Sequence, residues 1–399
     1  MLTAELTTLS ERRLLQLLCA DDRAAADLLL AWAEPDALPA VVEAARRTGL
    51  TPALYSRLRP HADLVPAGLL APLEQAYWQT AAVNALRFHE LGRVLGALAG
   101  AGMPVLALKG AALAESLYDN VALRPMSDVD LLLHKADLPR AVSLLGELGY
   151  RAEWREAQAG LGLEYESQVE LRGPEPDWAV ELHWHLLDAA YYIDRLPEAR
   201  LWEEAVPIRL AEREVLAFRP EATLVHLAAH YVLHHGGHGL LWLHDLAQLL
   251  RHVQADPAAD PWAVNWDGAL ALAGRWQLVL PLQRAVEDAI AGAELAFPAD
   301  LRQRLRELAP ARGELRAYRA LTSPRRDVIS RFYQELVMIQ GGRRKLRYLW
   351  HNLFPARDYM VERYAIPAGR AVWPYHVYRV AKGLADLAGR LLRRPGRAP

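Results

Sequence analysis

Three carboxylates and one lysine are the residues whose types and spacing could do chemistry. Asp128 and Asp130 stand two apart at the head of the apolar run Val129 to Leu133, and in a strand that spacing projects both carboxylates from one face. Two like charges so close are costly without a counter-cation. Magnesium is the natural one, a hard cation commonly held by one or two carboxylates together with substrate phosphates. Glu181 lies between Val180 and Leu182 on a later alternating run and faces away from them. If that face is also covered, its charge needs a partner, and a metal shared with the aspartates would supply it. Lys109-Gly110 ends the apolar run Val105 to Leu108 and precedes a helical stretch from Ala111 to Tyr118. Such a strand, glycine turn and helix offer backbone N–H groups and a positive helix end to a triphosphate. Taken singly these signals are weak, because an Asp-x-Asp at a strand start is more often a solvated turn. Their order along the chain strengthens them.

The elements that must position these groups can be read from periodicity. Residues 1 to 100 carry apolar positions at helical spacing. The strand Val129 to Leu133 follows the turn Arg124-Pro125-Met126-Ser127, and a helix from Asp137 to Leu148 ends near Gly149. Alternation marks Leu163, Tyr165, Val169 and Leu171, then Val180, Leu182, Trp184 and Leu186, with Gly173-Pro174-Glu175-Pro176 as the turn between strands of one mixed sheet. A further strand pair is expected at Val206 to Leu210 and Glu214 to Phe218. From Glu221 the pattern is helical again, with breaks near Gly236-Gly237, Asp256 to Pro261, Pro281 and Pro298. The expected fold is α+β, a mixed-sheet core at 101–219 between an N-terminal helical segment, 1–100, and a C-terminal helical lobe, 220–399.

Composition bounds the class. The 399 residues are 52% hydrophobic and 24% charged, with a net charge of −2, which describes a soluble globular chain rather than a disordered one. Only Lys109, Lys135, Lys345 and Lys382 are lysine against 42 arginines, so a retained lysine carries more weight than any arginine. The single cysteine, Cys19, excludes a disulfide scaffold and a thiolate zinc site, and it is expected as a buried small hydrophobe. The N-terminus reads as amphipathic rather than as a secretory signal. The uncharged stretch Val94 to Leu108 is broken by Gly96, Gly100, Gly102 and Pro104 and falls short of the roughly 20 residues that cross a bilayer. A reducing cytoplasm is the expected compartment.

At the central motifs the sequence resembles a known family. The run Val105-Leu106-Ala107-Leu108-Lys109-Gly110-Ala111-Ala112, then Leu117-Tyr118, then Arg124-Pro125-Met126-Ser127-Asp128-Val129-Asp130-Leu131-Leu132-Leu133, is similar to the uncharacterised nucleotidyltransferase family of the DNA polymerase β-like superfamily. Glu181-Leu182-His183-Trp184, His226 to His230, Trp242 to Leu246 and Phe354-Pro355 through Tyr378-Arg379 extend the likeness over most of the chain. The resemblance implies a minimal nucleotidyltransferase sheet and magnesium-dependent transfer of a nucleoside monophosphate from a nucleoside triphosphate, ATP being the expected one, with release of pyrophosphate. It implies that Asp128 and Asp130 bridge two magnesium ions and that Glu181 completes one site and helps activate an acceptor hydroxyl. One departure matters. The superfamily usually has Gly-Ser at the turn, where this chain has Gly110-Ala111, so the phosphate-contacting hydroxyl is absent. Lys109 and Arg124 are the candidates to neutralise phosphate instead, and Ser127 either replaces the hydroxyl or is a turn residue.

Alternatives remain at the histidines. His183 and His185 share the face of Glu181 by alternation; His183 is the cleft candidate and His185 the structural or rim residue. His226 and His230 have the i, i+4 spacing of a helical metal pair, while His234, His235 and His238 surround Gly236-Gly237 like a loop. His244-Asp245 invites comparison with His-Asp metal phosphohydrolases, although no second downstream aspartate matches; Asp245 could equally anchor the lobe against the core. The competing class is a nucleotide-binding or regulatory module without turnover.

Residues 341–399 carry a net charge of +10, leaving −12 on the rest. Interleaved aromatics there are compatible with an RNA acceptor, but closing helices whose arginines pair with the acidic body are favoured. A membrane surface is not expected. The acceptor is expected to be a small molecule, a peptide or a saccharide, and the sequence leaves the oligomeric state open.

Overall fold

Alternation along short segments decides how the sheet is faced. The structure, a computed structural model, describes residues 8–32, 36–66, 68–118, 120–153, 167–174, 178–323, 332, 335–355, 357–367 and 369–392. Seven strands, β1 (Leu106–Leu108), β2 (Asp128–Leu132), β3 (Arg151–Glu153), β4 (Gln168–Arg172), β5 (Ala179–His183), β6 (Ala205–Leu210) and β7 (Arg213–Phe218), form one mixed sheet in the order β3-β4-β5-β2-β1-β7-β6. The pairs β2·β5 and β1·β7 are parallel; the other neighbours are antiparallel. The fold class is therefore α+β, as expected, with β3 added. The sequence positions Leu163 and Tyr165 lie outside the described residues.

On one face, Ala107, Val129, Leu131, Val180 and Leu182 join a core with Leu91, Val94, Leu95 and Leu98 of the long helix Leu70–Gly100 and with Leu138, Ala141 and Leu145 of the helix Leu138–Glu147. On the other, Leu106, Leu108 and Leu132 join a larger core built by the helices. Because residues of one strand alternate between faces, Asp128 and Asp130 share the side of Leu132, which meets the helical lobe.

That larger core joins the first helices to the helical lobe. Leu14, Leu15, Leu17 and Leu18 of the helix Leu9–Cys19, opened by a Thr8/Glu11 capping box, pack with residues of the helices Pro220–Ala229, Leu240–Leu250 and Val279–Ala293. The first helices thus belong to the same apolar mass as the lobe. Pro281, read as a break, sits in the first turn of Val279–Ala293, where the ring is tolerated because those N–H groups have no intrahelical partner. The interruption falls earlier, at Gln277, whose φ of 57° is left-handed.

Cys19 is buried, and burial pushes its thiol up to about 12, which fits an inert hydrophobe. In the basic C-terminal part, Arg344 pairs with Asp194, and Arg379 lies over the Tyr359 ring. Trp350 and Trp373 remain exposed. Among the described residues no helix is long and apolar enough to cross a membrane.

Candidate active site

Strand register brings the acidic residues together. In the parallel pair β2·β5, Asp130 lies opposite Glu181, and Leu132 opposite His183; in β1·β2, Leu108 lies opposite Asp130. The residue after Leu108 is Lys109, and its φ of 45° turns the chain out of β1 into the helix Lys109–Ser116. A left-handed lysine costs about 1–2 kcal/mol relative to ordinary backbone, a strain of the kind kept at functional sites. Lys109 Nζ reaches 2.6 Å from Asp130 Oδ1 and 3.4 Å from His230 Nε2.

A network then closes around the carboxylates. His183 Nε2 lies 2.8 Å from Asp130 Oδ1 and 3.4 Å from Glu181 Oε2, and Gln168 Nε2 donates to Glu181 Oε2 at 2.6 Å. Burial lifts the Asp128 carboxyl above its usual range, and the charges of Asp130 and Glu181 push the same way. Burial also acts upward on Asp130, but the Lys109 ammonium and the His183 imidazole outweigh it and hold that carboxyl well below the usual range. For His183 burial disfavours the charged ring, yet its bonds to Asp130 and Glu181 prevail and raise it. Each partner thus favours the charged form of the other.

A cleft of about 190 Å³ opens here, lined by Lys109, Gly110, Arg124, Ser127, Asp128, Asp130 and Glu181 from the core. His230, His234, His235, Leu241 and Trp242 line its lobe side. Larger cavities beside Cys19 (about 510 Å³) and His244 (about 310 Å³) lack the converging carboxylates. Seven of the sequence candidates therefore meet at one cleft. Ala111 does not line it; its side chain is fully buried in the apolar core.

Arg124 is held from behind. Its Nε and Nη2 donate to the Asp245 carboxylate at 3.0 and 2.8 Å, and Tyr118 Oη donates to the same carboxylate at 2.7 Å. The exposures of Arg124 and Asp245 are 4% and 0%. Burial opposes the guanidinium charge, but Asp245 outweighs it and raises Arg124 above its ordinary value. Asp245 thus anchors the lobe to the core. The buried Asn84 adds a clamp, donating from Nδ2 to Val121 O and Arg124 O at 2.6 and 3.0 Å. The forward edge of the guanidinium lies over Gly110, where a Cβ would come 2.7 Å from Arg124 Nη1. That contact explains why the turn residue is glycine.

The histidines sort differently from their spacing. His185 is structural, bonded to Leu187 O and Leu196 O. His244 lies 3.1 Å from Tyr118 Oη and 2.9 Å from Gln248 Nε2. With Asp245 spent on Arg124, a His-Asp metal centre is not formed at that pair. His226 belongs to no metal-capable group among the described residues. Two such groups exist among the described residues: Asp130 with Glu181 and His183, and His230 with His234 and His235. Of the histidines expected in a loop around Gly236-Gly237, His235 and His238 lie in that loop, whereas His234 ends the π turn His230–His234. Gln168 was missed because its contact with Glu181 depends on strand pairing.

The hard oxygen donors of Asp128, Asp130 and Glu181 on one cleft, with burial and like-charge repulsion both lifting Asp128, suit a hard divalent cation. The model of a protein family described as uncharacterised nucleotidyltransferase matches residues 35–307, about two thirds of the chain. No curated protein and no solved structure matches it.

Proposed function

This chain belongs to the uncharacterised nucleotidyltransferase family, and on that footing we propose that it transfers a nucleoside monophosphate from a nucleoside triphosphate, ATP first, to an acceptor hydroxyl. The observation that carries this reading is the pairing of Asp130 with Glu181 across β2 and β5, beside Asp128 and Lys109. Asp128, Asp130 and Glu181 would hold magnesium. When bound, the ions supply charge neutralisation at the attacking and leaving oxygens.

The chain's own groups do the rest. Lys109 exchanges its contact with Asp130 for the triphosphate, as a point charge able to follow a shifting anion. Backbone N–H groups at the start of Lys109–Ser116 face phosphate oxygens, and Ser127, an exposed residue at the rim, hydrogen-bonds Asp128 through its side chain. The acceptor oxygen forms a bond to the α-phosphorus while the bond from that phosphorus to the bridging oxygen breaks. Pyrophosphate leaves with the electron pair, and the hydroxyl proton passes to Glu181. His183, at 2.8 Å from Asp130 and 3.4 Å from Glu181, orients both carboxylates. The acceptor is a small molecule, a peptide or a saccharide.

Incubation with each α-phosphate-labelled nucleotide and a cell extract tests the reading. Label should enter one acceptor with wild type and not with Asp128→Asn/Asp130→Asn; equal labelling by both would overturn it. A second reading, nucleotide binding without turnover, is favoured by one fact. The turn carries Ala111, buried in the apolar core, in place of the phosphate-contacting hydroxyl. Titration calorimetry separates the two readings, since magnesium-independent ATP binding unchanged in the double variant belongs to the second.

A further inference from the structure

The lobe wall of the cleft carries a group of side chains that the carboxylate chemistry does not use. His230 accepts Lys109 at Nε2, while its Nδ1 is buried without a hydrogen-bond partner among the described residues. The residue is 9% exposed, in a cleft whose other wall is acidic. One ring nitrogen of each of His230, His234 and His235 lies within 4.8 Å of the others.

The backbone explains how three such rings converge. In an α-helix, at about 100° per residue, position i+5 falls about 140° from position i, so His235 would point away from His230. Here the His235 N–H donates to His230 O at 3.2 Å, an i to i+5 bond, and the widened turn brings i+4 and i+5 under the same residue. Ring centroids are 5.1 Å apart for His230 and His234, 4.5 Å for His230 and His235, and 4.9 Å for His234 and His235. Trp242 stacks on His235 at 3.4 Å between centroids and fixes that ring. Single π turns inside helices are frequent at functional sites.

We propose that His230, His234 and His235 form a three-imidazole site for a divalent transition cation of the zinc class, distinct from the magnesium carboxylates and facing them across the cleft. Imidazole suits zinc and cobalt, whereas magnesium takes hard oxygen ligands. The two walls therefore select different metals. Three protein ligands leave a fourth, open position. His234 is exposed and His235 half-buried, so that position is reached from the cleft mouth. An anionic oxygen is the ligand class it would take. This site stands whether or not nucleotidyl transfer holds.

Metal-stripped full-length protein titrated with cobalt(II) chloride tests it. One equivalent should bind with the visible d–d bands of a tetrahedral centre, and zinc should displace it while excess magnesium does not. Asp128→Asn/Asp130→Asn should leave the bands intact. His234→Ala and His235→Ala, at exposed and half-buried positions that should still fold, should each weaken binding at least about 10-fold, the range seen when a metal site is disturbed. Absence of the bands in wild type, or their persistence in the His234→Ala/His235→Ala protein, overturns the site. Loss on Asp128→Asn/Asp130→Asn with retention in the histidine variants places the ion on the carboxylates instead and overturns it equally.

Discussion

Arg124 and Asp245 face each other across the junction of core and lobe in a fork-to-fork pair, Nε and Nη2 of the guanidinium against both carboxylate oxygens. The arginine comes from the turn before β2 and the aspartate from the helix Leu240–Leu250, so the contact fixes where the lobe sits over the carboxylates. Removing one partner of a buried pair leaves an uncompensated charge. Arg124→Ala or Asp245→Ala should each destabilise by about 3–5 kcal/mol, read by urea unfolding. Arg124→Met/Asp245→Leu should recover most of that loss, and a double variant as unstable as the worse single one would contradict the pairing.

Gly110 tests how tightly that guanidinium is seated. A methyl group at this position meets Arg124 Nη1 at 2.7 Å, so Gly110→Ala should cost about 1–3 kcal/mol as an overpacked contact. The same change should weaken nucleotide binding measured by calorimetry. An unaltered midpoint in denaturant would mean that the arginine moves freely.

The two aspartates should respond in opposite directions. Asp130 is stabilised as a carboxylate by Lys109 and His183, and Asp130→Asn leaves both side chains without it. Stability should fall. Asp128 is disfavoured as a carboxylate by burial and by its acidic neighbours, so Asp128→Asn without metal should raise stability by about 0.5–1 kcal/mol while abolishing label transfer, the exchange expected where function holds a strained group. Equal destabilisation by both substitutions would be the contrary result.

His244 sets a pH window. Burial pushes its imidazole down to about 4, with the Arg124 charge acting the same way, so the folded state holds it neutral where the unfolded chain, at about 6.5, takes a proton. Its folded value is lowered; its contribution is therefore complete above pH 6.5 and is lost as pH falls toward 4. The loss amounts to about 3 kcal/mol over that window. Unfolding free energies measured between pH 7 and pH 4 should slope accordingly, and His244→Gln should lessen the slope without abolishing it, because burial also pushes the imidazoles of His226 and His235 down, to about 3 and about 4. A wild-type curve already flat there would count against a buried neutral ring.

Much of the site was legible because strand alternation is a local rule. The shared face of Asp128 and Asp130, and the opposition of Glu181 to Val180 and Leu182, follow from a two-residue period that no distant contact can change. Helix ends were less legible, as Pro281 shows: a proline marks a boundary only within a turn, and the left-handed residue that makes the real break, Gln277, carries no compositional sign.

By itself the sequence determined which residue types face together within each strand, the α+β alternation of elements and the family motifs around Lys109 and Asp128. Tertiary structure decided what those faces meet. Whether Asp130 lies beside Glu181 depends on β5 pairing parallel to β2, with β3 and β4 between them in sequence, and pairing of that range is fixed by the whole core. The same holds for Gln168 on Glu181, for Arg124 on Asp245 and for the meeting of Lys109 with His230, 121 residues apart. Spacing can state a side chain's direction; only packing brings two distant directions to one point.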